Sequence, residues 1–330
     1  MTKGKIINLI ENYKLAWDKI KEAKYILIIT HINPDPDTIT CALALSTTFE
    51  KHKIKHKVYN NNKKLPENLK FLKNYNKIVD KIPDFYDLII SVDCGDKSRF
   101  FRQHNDKYDE SITLINIDHH ISNDNFGDIN IVNPNSASTA ELVYDLLNVN
   151  DIKISKECAE ALYVGIYTDT LAFTTNRTND RTFQKIGHIV ESGANPDHIA
   201  THLVYQDSLA KYRLIPKILE SLELHFEGKI ATIVLKNEWV KSTGADMEDA
   251  EAALNMVSQI GIVDIVIFLR EGNTRTRVSL RGKNDADVSK IANDFEGGGH
   301  IRAAGCTVNS TNLDEAKKIL LDYIGKSYEL

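Results

Sequence analysis

Nowhere in the 330 residues does an apolar run approach the roughly 20 residues that span a bilayer. The opening stretch MTKGKIINLIENYKLAWDKIKEA carries Glu11 and Asp18 where a signal peptide needs an unbroken apolar core, and it reads as an amphipathic helix. Four cysteines, Cys41, Cys94, Cys158 and Cys306, stand far apart with no C-x-x-C pair. They read as small buried residues in a reducing compartment, so a cytoplasmic protein is expected. An excess of positive charge is lacking too. Lysine and arginine number 41 against 46 aspartates and glutamates, a net charge of −5. Proteins that coat long nucleic acid usually carry a basic surface, so any nucleic-acid contact here should be local: a short substrate or one basic patch. Internal repeats, low-complexity tracts and flexible Gly/Ser linkers are absent as well. What remains is an ordinary globular composition, long enough for two domains with their own cores.

Short apolar segments alternate with helical patterns through the first half. Strands are expected at residues 25–30, 55–59, 88–93, 113–117 and 129–132, with helices near 38–51, 67–72 and 138–148. This alternation predicts an α/β fold with a parallel sheet flanked by helices. Residues 155–222 look largely helical, with helix starts at Asn195-Pro196 and Asp207-Ser208. A smaller α/β domain follows. Its strands are expected at 230–235, 262–269 and 275–280, with a Gly-rich loop at 296–301 and a last helix over 313–323. The expected division is 1–195, a helical connector 196–223, and 224–330.

Three of the first-half strands end in polar clusters: THINPDPD, SVDCGD and NIDHH. Ligands of parallel sheets collect at such carboxyl ends. The first cluster crowds His31, Asp35 and Asp37 into seven residues, with two prolines that argue against a helix there. The others supply Asp93 and then Asp118, His119 and His120. A fourth segment, YVGIYTDTLAF, supplies Asp169. Carboxylates with imidazole suit manganese, iron or zinc better than calcium. The set exceeds what one ion can use, and two ions sharing a carboxylate would use it fully. Bound cations would also relieve the repulsion between Asp35 and Asp37. Each cluster alone has a plainer reading. Asp37 can cap the helix starting at Thr38, and Ser138 with Glu141 in STAE reads as a capping box. The remaining histidines, His52, His56, His104, His188, His198, His202 and His225, lack an acidic pattern and are read as surface or core residues.

In the C-terminal region, TRTRVSLRGK sets Arg275, Arg277, Ser279 and Arg281 at alternate positions. A strand there has one basic and one core face. The plainer reading is a solvated edge strand. The nearby EGGGHIRAAG adds Gly297, Gly298, Gly299, His300 and Arg302, which together suggest a phosphate or nucleotide clamp.

The order HINPDPD, VDCGD, DHH, GIYTDT and GGGHIRAAG resembles the DHH phosphoesterase superfamily, in the branch with a DHH-associated C-terminal domain. The resemblance covers nearly the whole chain. It implies a DHH domain with a smaller substrate-binding domain carrying the GGGH loop, and an active site in the cleft between them. It implies two divalent metal ions, manganese in the first place, held by His31, Asp35, Asp37, Asp93, His119 and Asp169. Asp93 would bridge them and His120 would face the scissile phosphate. Arg99, Arg281, Gly298, Gly299 and His300 match substrate contacts. Within the superfamily, length and layout point to hydrolysis of short oligoribonucleotides to nucleoside 5′-monophosphates, and of 3′-phosphoadenosine 5′-phosphate to AMP. No membrane partner is implied, and a homodimer is among the assemblies it allows. The rival readings are a cyclic-dinucleotide phosphodiesterase, a pyrophosphatase, a single-strand DNA exonuclease and an inactive nucleotide-binding module. The chain departs from the usual motifs at Pro36, Thr40, Cys41 and Leu171, and no ligand is lost.

Overall fold

The computed structural model describes residues 3–62, 64–100 and 108–327; His104 lies outside them. The chain divides into two compact units, Met1–Gln206 and Asp207–Leu330.

The first unit opens with α1 (Lys3–Glu22) and builds a parallel sheet from β1 (Ile26–Ile29), β2 (His56–Tyr59), β3 (Leu88–Val92), β4 (Leu114–Asp118) and β5 (Ile129–Val132). The order is β2-β1-β3-β4-β5. β1, β3 and β4 are buried along their whole length, which is why they read as unbroken apolar runs rather than alternating ones. Helices α2 (Pro36–Lys51) and α3 (Thr139–Val149) pack on the sheet and α4 (Lys156–Asp169) packs against both, followed by α5 (Asp180–Glu191) and α6 (Pro196–Leu203). Gly165 in α4 permits the close approach. A Cβ there would stand 2.5 Å from Thr40 Oγ1, 2.7 Å from Ala140 Cβ and 2.8 Å from Asp37 Oδ1.

Three local expectations are corrected. Helix α2 begins at Pro36, not Thr38, and its cap is Asp35, whose Oδ1 accepts from Thr38 N–H at 3.0 Å. Proline is welcome at the first helical position, where its missing N–H has no partner to lose. Residues 67–72 hold only a 3₁₀ turn, Glu67–Leu69. The seven residues between Pro66 and left-handed Asn74 are too few to nucleate a stable α-helix. Ser138 caps α3, but Glu141 does not complete the box. Its Oε2 accepts from Ser136 Oγ (2.9 Å) and Ala137 N–H (3.3 Å).

The second unit contains α7 (Leu209–Leu219), β6 (Glu223–His225), β7 (Ile230–Leu235), α8 (Asn237–Thr243), α9 (Glu251–Ser258), β8 (Ile265–Arg270) and β9 (Thr276–Gly282). It ends with α10 (Val288–Asp294), β10 (Gly298–His300), β11 (Ala303–Val308) and α11 (Leu313–Ser327). One mixed sheet runs β10-β11-β9-β8-β7-β6. Strand β8 starts later than expected because Val263 N–H closes a turn on Ile260 O. β9 has the two faces its alternation predicts: Thr276, Val278 and Leu280 are buried, while Arg277, Ser279 and Arg281 face outward. The expected glycine loop is partly the edge strand β10. Gly299, at φ 148°, has no room for a Cβ, which would stand 2.5 Å from Ala304 Cα. Among the described residues no helix is long and apolar enough to cross a membrane.

Candidate metal centre and phosphate site

Because the sheet of the first unit is parallel, the carboxyl ends of β1, β3 and β4 lie along one edge. His31 follows β1, Asp93 follows β3, and Asp118, His119 and His120 close β4. Asp35 and Asp37 stand at the start of α2, and Asp169 is the last residue of α4. All six expected metal ligands thus come together. Three groups of donors have every ligand atom within 4.8 Å of the others: His31, Asp35 and Asp93; Asp37, His119 and Asp169; and Asp93, His119 and His120. Asp93 belongs to the first and third groups, so one carboxylate links the cluster around His31 to the one around His119 and His120.

The nitrogen–oxygen distances suit cations better than hydrogen bonds. His31 Nε2 lies 3.9 Å from Asp35 Oδ1 and from Asp93 Oδ2. His119 Nε2 lies 3.7 Å from Asp93 Oδ1 and 3.4 Å from Asp169 Oδ2. Donors about 2.1 Å from a common ion stand about 3.0–3.4 Å apart at right or tetrahedral angles and up to about 4.2 Å apart at wider ones. Among the described residues, no lysine or arginine comes within 4.0 Å of these carboxylates. Burial raises the Asp37 carboxyl well above the usual range, and the charges of Asp169 and Asp35 raise it further. Burial also raises Asp93, reinforced by Asp37. Two buried carboxylates without a cationic side chain are a donor set that divalent ions fit.

The histidines are prepared for that role. His31 Nδ1 lies 2.8 Å from the Ile32 carbonyl and His119 Nδ1 lies 3.4 Å from the Ser136 carbonyl. A carbonyl can only accept, so each Nδ1 carries the hydrogen and each Nε2 presents its lone pair to the carboxylates. Burial lowers the pKa of both rings and favours this neutral form. His120 differs. Its Nδ1 is 2.7 Å from Asp118 Oδ1, and that hydrogen bond raises its pKa. Asp118 is held in turn by Asn123, whose Nδ2 donates to Oδ2 at 2.6 Å.

Sequence reasoning missed Thr139 and Gly165. Thr139, the first residue of α3, is fully buried. Its N–H donates to Asp37 Oδ2 (2.7 Å) and its hydroxyl donates to Asp93 Oδ1 (2.7 Å). Ala140 N–H adds a bond to Asp37 Oδ1 at 3.2 Å, so the amino end of α3 faces this carboxylate. STAE was legible as a helix start; nothing in it signalled which carboxylate the helix would meet. The glycine in GIYTDT was the one visible sign of the tight α2–α4 packing.

Arg99 is beside this cluster, with Nη2 3.3 Å from His31 Nδ1. The other expected substrate contacts belong to the second unit. Arg281 pairs with Glu251 at 3.4 Å. Ala303 is in register with Arg281 on one side and His300 on the other. Arg281 and His300 therefore share a sheet face with only a small side chain in the row between them. Gly298 lies on the same face, opposite Gly305 and then Ser279. Gly299 points the other way, into β11.

The sheet edge gathers an acid–imidazole cluster that could hold metal ions, placed at the strand ends of a DHH-type domain. The chain belongs to the DHH family: the DHH family N-terminal domain matches residues 25–166 and the DHHA1 domain residues 228–326. It is 27% identical over 320 residues to the bifunctional oligoribonuclease and PAP phosphatase NrnA of Thermus thermophilus, covering 93% of this chain and 94% of that protein. It is 29% identical to the probable bifunctional oligoribonuclease and PAP phosphatase NrnA of Streptococcus mutans, covering 93% and 96%. The crystal structure of an exopolyphosphatase-related protein from Bacteroides fragilis superposes with a TM-score of 0.85 at 26% identity, covering 97% of this chain and 98% of that one.

Proposed function

We propose that this protein is a metal-dependent phosphoesterase that hydrolyses short oligoribonucleotides to nucleoside 5′-monophosphates and converts 3′-phosphoadenosine 5′-phosphate to AMP. The observation that carries the reading is the pair of donor clusters joined through Asp93. Relatives named for these two activities align over nearly the whole chain. His31, Asp35 and Asp93 would hold one divalent ion; Asp37, His119 and Asp169, with Asp93 reaching across, would hold the other. Manganese is our assignment, on the imidazole content of the set. Such ions supply Lewis-acid polarisation of the phosphoryl group and a lower pKa for water.

The protein's own groups do the rest. Thr139 and the amino end of α3 hold Asp37 and Asp93 in place. The Ile32 and Ser136 carbonyls keep His31 and His119 in the tautomer that leaves Nε2 free. Asp118 keeps a proton on His120 Nδ1, and the half-exposed ring offers its other edge to charge developing on the phosphate oxygens. Arg99 contacts the phosphoryl group. Arg281, Gly298, Gly299 and His300 contact the remainder of the substrate. They belong to a substrate-binding domain over residues 224–330, which follows the metal-binding domain over residues 1–195 and the connector 196–223. A site for small substrates accords with the acidic net charge. The protein acts in the cytoplasm, on short RNA and the nucleotide bisphosphate.

A substrate panel with manganese tests this: dinucleotide RNA, 3′-phosphoadenosine 5′-phosphate, a cyclic dinucleotide, pyrophosphate and long single strands. The first two should turn over fastest. Preferential turnover of the cyclic dinucleotide or of long single strands would reassign the substrate. No turnover of any member would leave an inactive nucleotide-binding module.

A further inference from the structure

Arg177 lies outside every sequence motif and outside the metal donor set. It sits in the loop from α4 to α5, with Nη1 3.3 Å from His119 Nδ1. The hydrogen on that nitrogen is directed at the Ser136 carbonyl, so the ring offers the guanidinium no lone pair. Among the described residues Arg177 makes no ion pair within 4.0 Å, although Asp169 is close enough to feel its charge. Asp169 instead turns its Oδ2 to His119 Nε2. The result is an exposed cationic fork beside the candidate metal cluster whose guanidinium, among the described residues, meets only the protonated edge of His119.

The loop that places it is unusual. Leu171, Ala172 and Phe173 follow one another at φ 48°, 58° and 65°, a conformation that residues other than glycine avoid. Phe173 N–H donates to Thr170 Oγ1 (3.0 Å), Thr174 N–H to Thr170 O (2.9 Å), and Asn179 Nδ2 to Arg177 O (3.0 Å). A backbone strained and over-determined in this way persists where placement matters. The placement mirrors that of Arg99, whose Nη2 is 3.3 Å from Nδ1 of the other metal histidine, His31. One arginine stands behind each of the two candidate metal histidines.

We infer that Arg177 is a second phosphate-binding arginine, which takes a non-bridging oxygen of the reacting phosphoryl group on the side opposite Arg99. The inference rests on the phosphoesterase reading. Planar guanidinium donors match phosphoryl oxygens, and charge spread over those oxygens is best met from two sides. An anion there would also relieve the repulsion between Arg177 and cations held at His119 Nε2.

The test compares Arg177→Gln, Arg177→Lys and, as a control, Arg181→Gln on the exposed surface of α5. Measured on each are kcat and KM for dinucleotide RNA and the bisphosphate, calorimetric affinity for AMP with manganese present, and manganese affinity without nucleotide. Arg177→Gln should lose about tenfold to a hundredfold in kcat/KM and a similar factor in AMP affinity. Manganese should bind as well as before or more tightly. Arg177→Lys should recover some of the loss, and Arg181→Gln should match the parent. Parental kcat/KM and AMP affinity in Arg177→Gln would overturn the inference. So would lost manganese binding, which would make Arg177 only a support for His119. A parent protein inert toward both substrates would refute the proposed function instead, and the AMP titration would still decide Arg177.

Discussion

Replacing Gly165 by alanine sets two effects of known size against each other. In a helix interior the change ordinarily stabilises by about 1 kcal/mol. Here the new Cβ would meet three atoms at 2.5–2.8 Å. Thr40 Oγ1 can rotate away, but it then gives up its 3.1 Å bond to Asp37 O. Ala140 Cβ is fixed to its backbone. Asp37 Oδ1 is held by Ala140 N–H and Oδ2 by Thr139 N–H. With two of three neighbours unable to yield, α4 must move off α2, and overpacking of this kind costs about 1–3 kcal/mol. The overpacking should win, leaving a net loss of about 1 kcal/mol. For a unit of this size that lowers Tm by about 2–4 °C. The same displacement pushes Asp37 out of line with His119 and Asp169, so manganese affinity should fall about tenfold or more. Thermal unfolding of the metal-free protein and manganese calorimetry read the two effects separately. A higher Tm with unchanged manganese affinity would show that the α2–α4 contact gives way, and would refute the claim that Gly165 sets the position of Asp37.

Asp93→Asn should abolish hydrolysis at saturating manganese while circular dichroism stays native; asparagine is the choice over alanine because residue 93 sits at φ 56°, which Asn tolerates. Near-normal turnover would sink the shared-ligand role. The pH dependence follows from the directions of the shifts. Asp37 and Asp93 have raised folded pKa values, so in the metal-free protein their contribution to stability falls as pH rises from the unfolded value through the folded one. His31 and His119 have lowered values, so they stay neutral to lower pH than free histidine. Metal needs deprotonated carboxylates, so the manganese-induced rise in Tm should be larger at pH 8 than at pH 5.5, and a pH-independent rise would contradict the assignment. Leu171→Gly should leave Tm unchanged or raise it: relief of the left-handed backbone is worth about 1–2 kcal/mol against about 0.5–1 kcal/mol for glycine's extra freedom, and the side chain is 69% exposed. A clear fall in Tm would mean the Leu171 side chain contributes more than its exposure suggests.

Much of this was readable in the chain. The β1, β3 and β4 runs announced a buried parallel sheet, because strands covered on both faces have no polar side to interrupt them. The donors were visible because three strands ended in acid or imidazole, and a strand's carboxyl end has a fixed place in such a sheet. Asp35 and Asp37 were harder. Pro36 argued against a helix at that point, whereas in the structure it opens one, and the capping role passed from Asp37 to Asp35. Glu141 looked like half of a capping box because local spacing cannot say that Ser136 and Ala137 N–H would compete for it. Thr139 and Arg177 were invisible for a common reason. Each meets a group far away along the chain, Thr139 bonding Asp37 and Asp93 and Arg177 standing beside His119, and no local pattern encodes such a meeting.

The spread of the donors has a consequence for how the protein matures. The first candidate ligand is residue 31 and the last is residue 169, and between them lie β3, β4 and the whole of α4. A chain emerging from the ribosome presents His31 and Asp35 early, but a single imidazole and a carboxylate grip an ion weakly. The shared carboxylate takes up its place only when β3 has paired with β1, and the second cluster waits for the end of α4. On the proposed two-ion reading, metal capture is therefore a late event that reports on completed assembly of the first unit. A truncated or misfolded chain would hold at most fragments of the donor set, so possession of the proposed metal pair would mark a finished molecule.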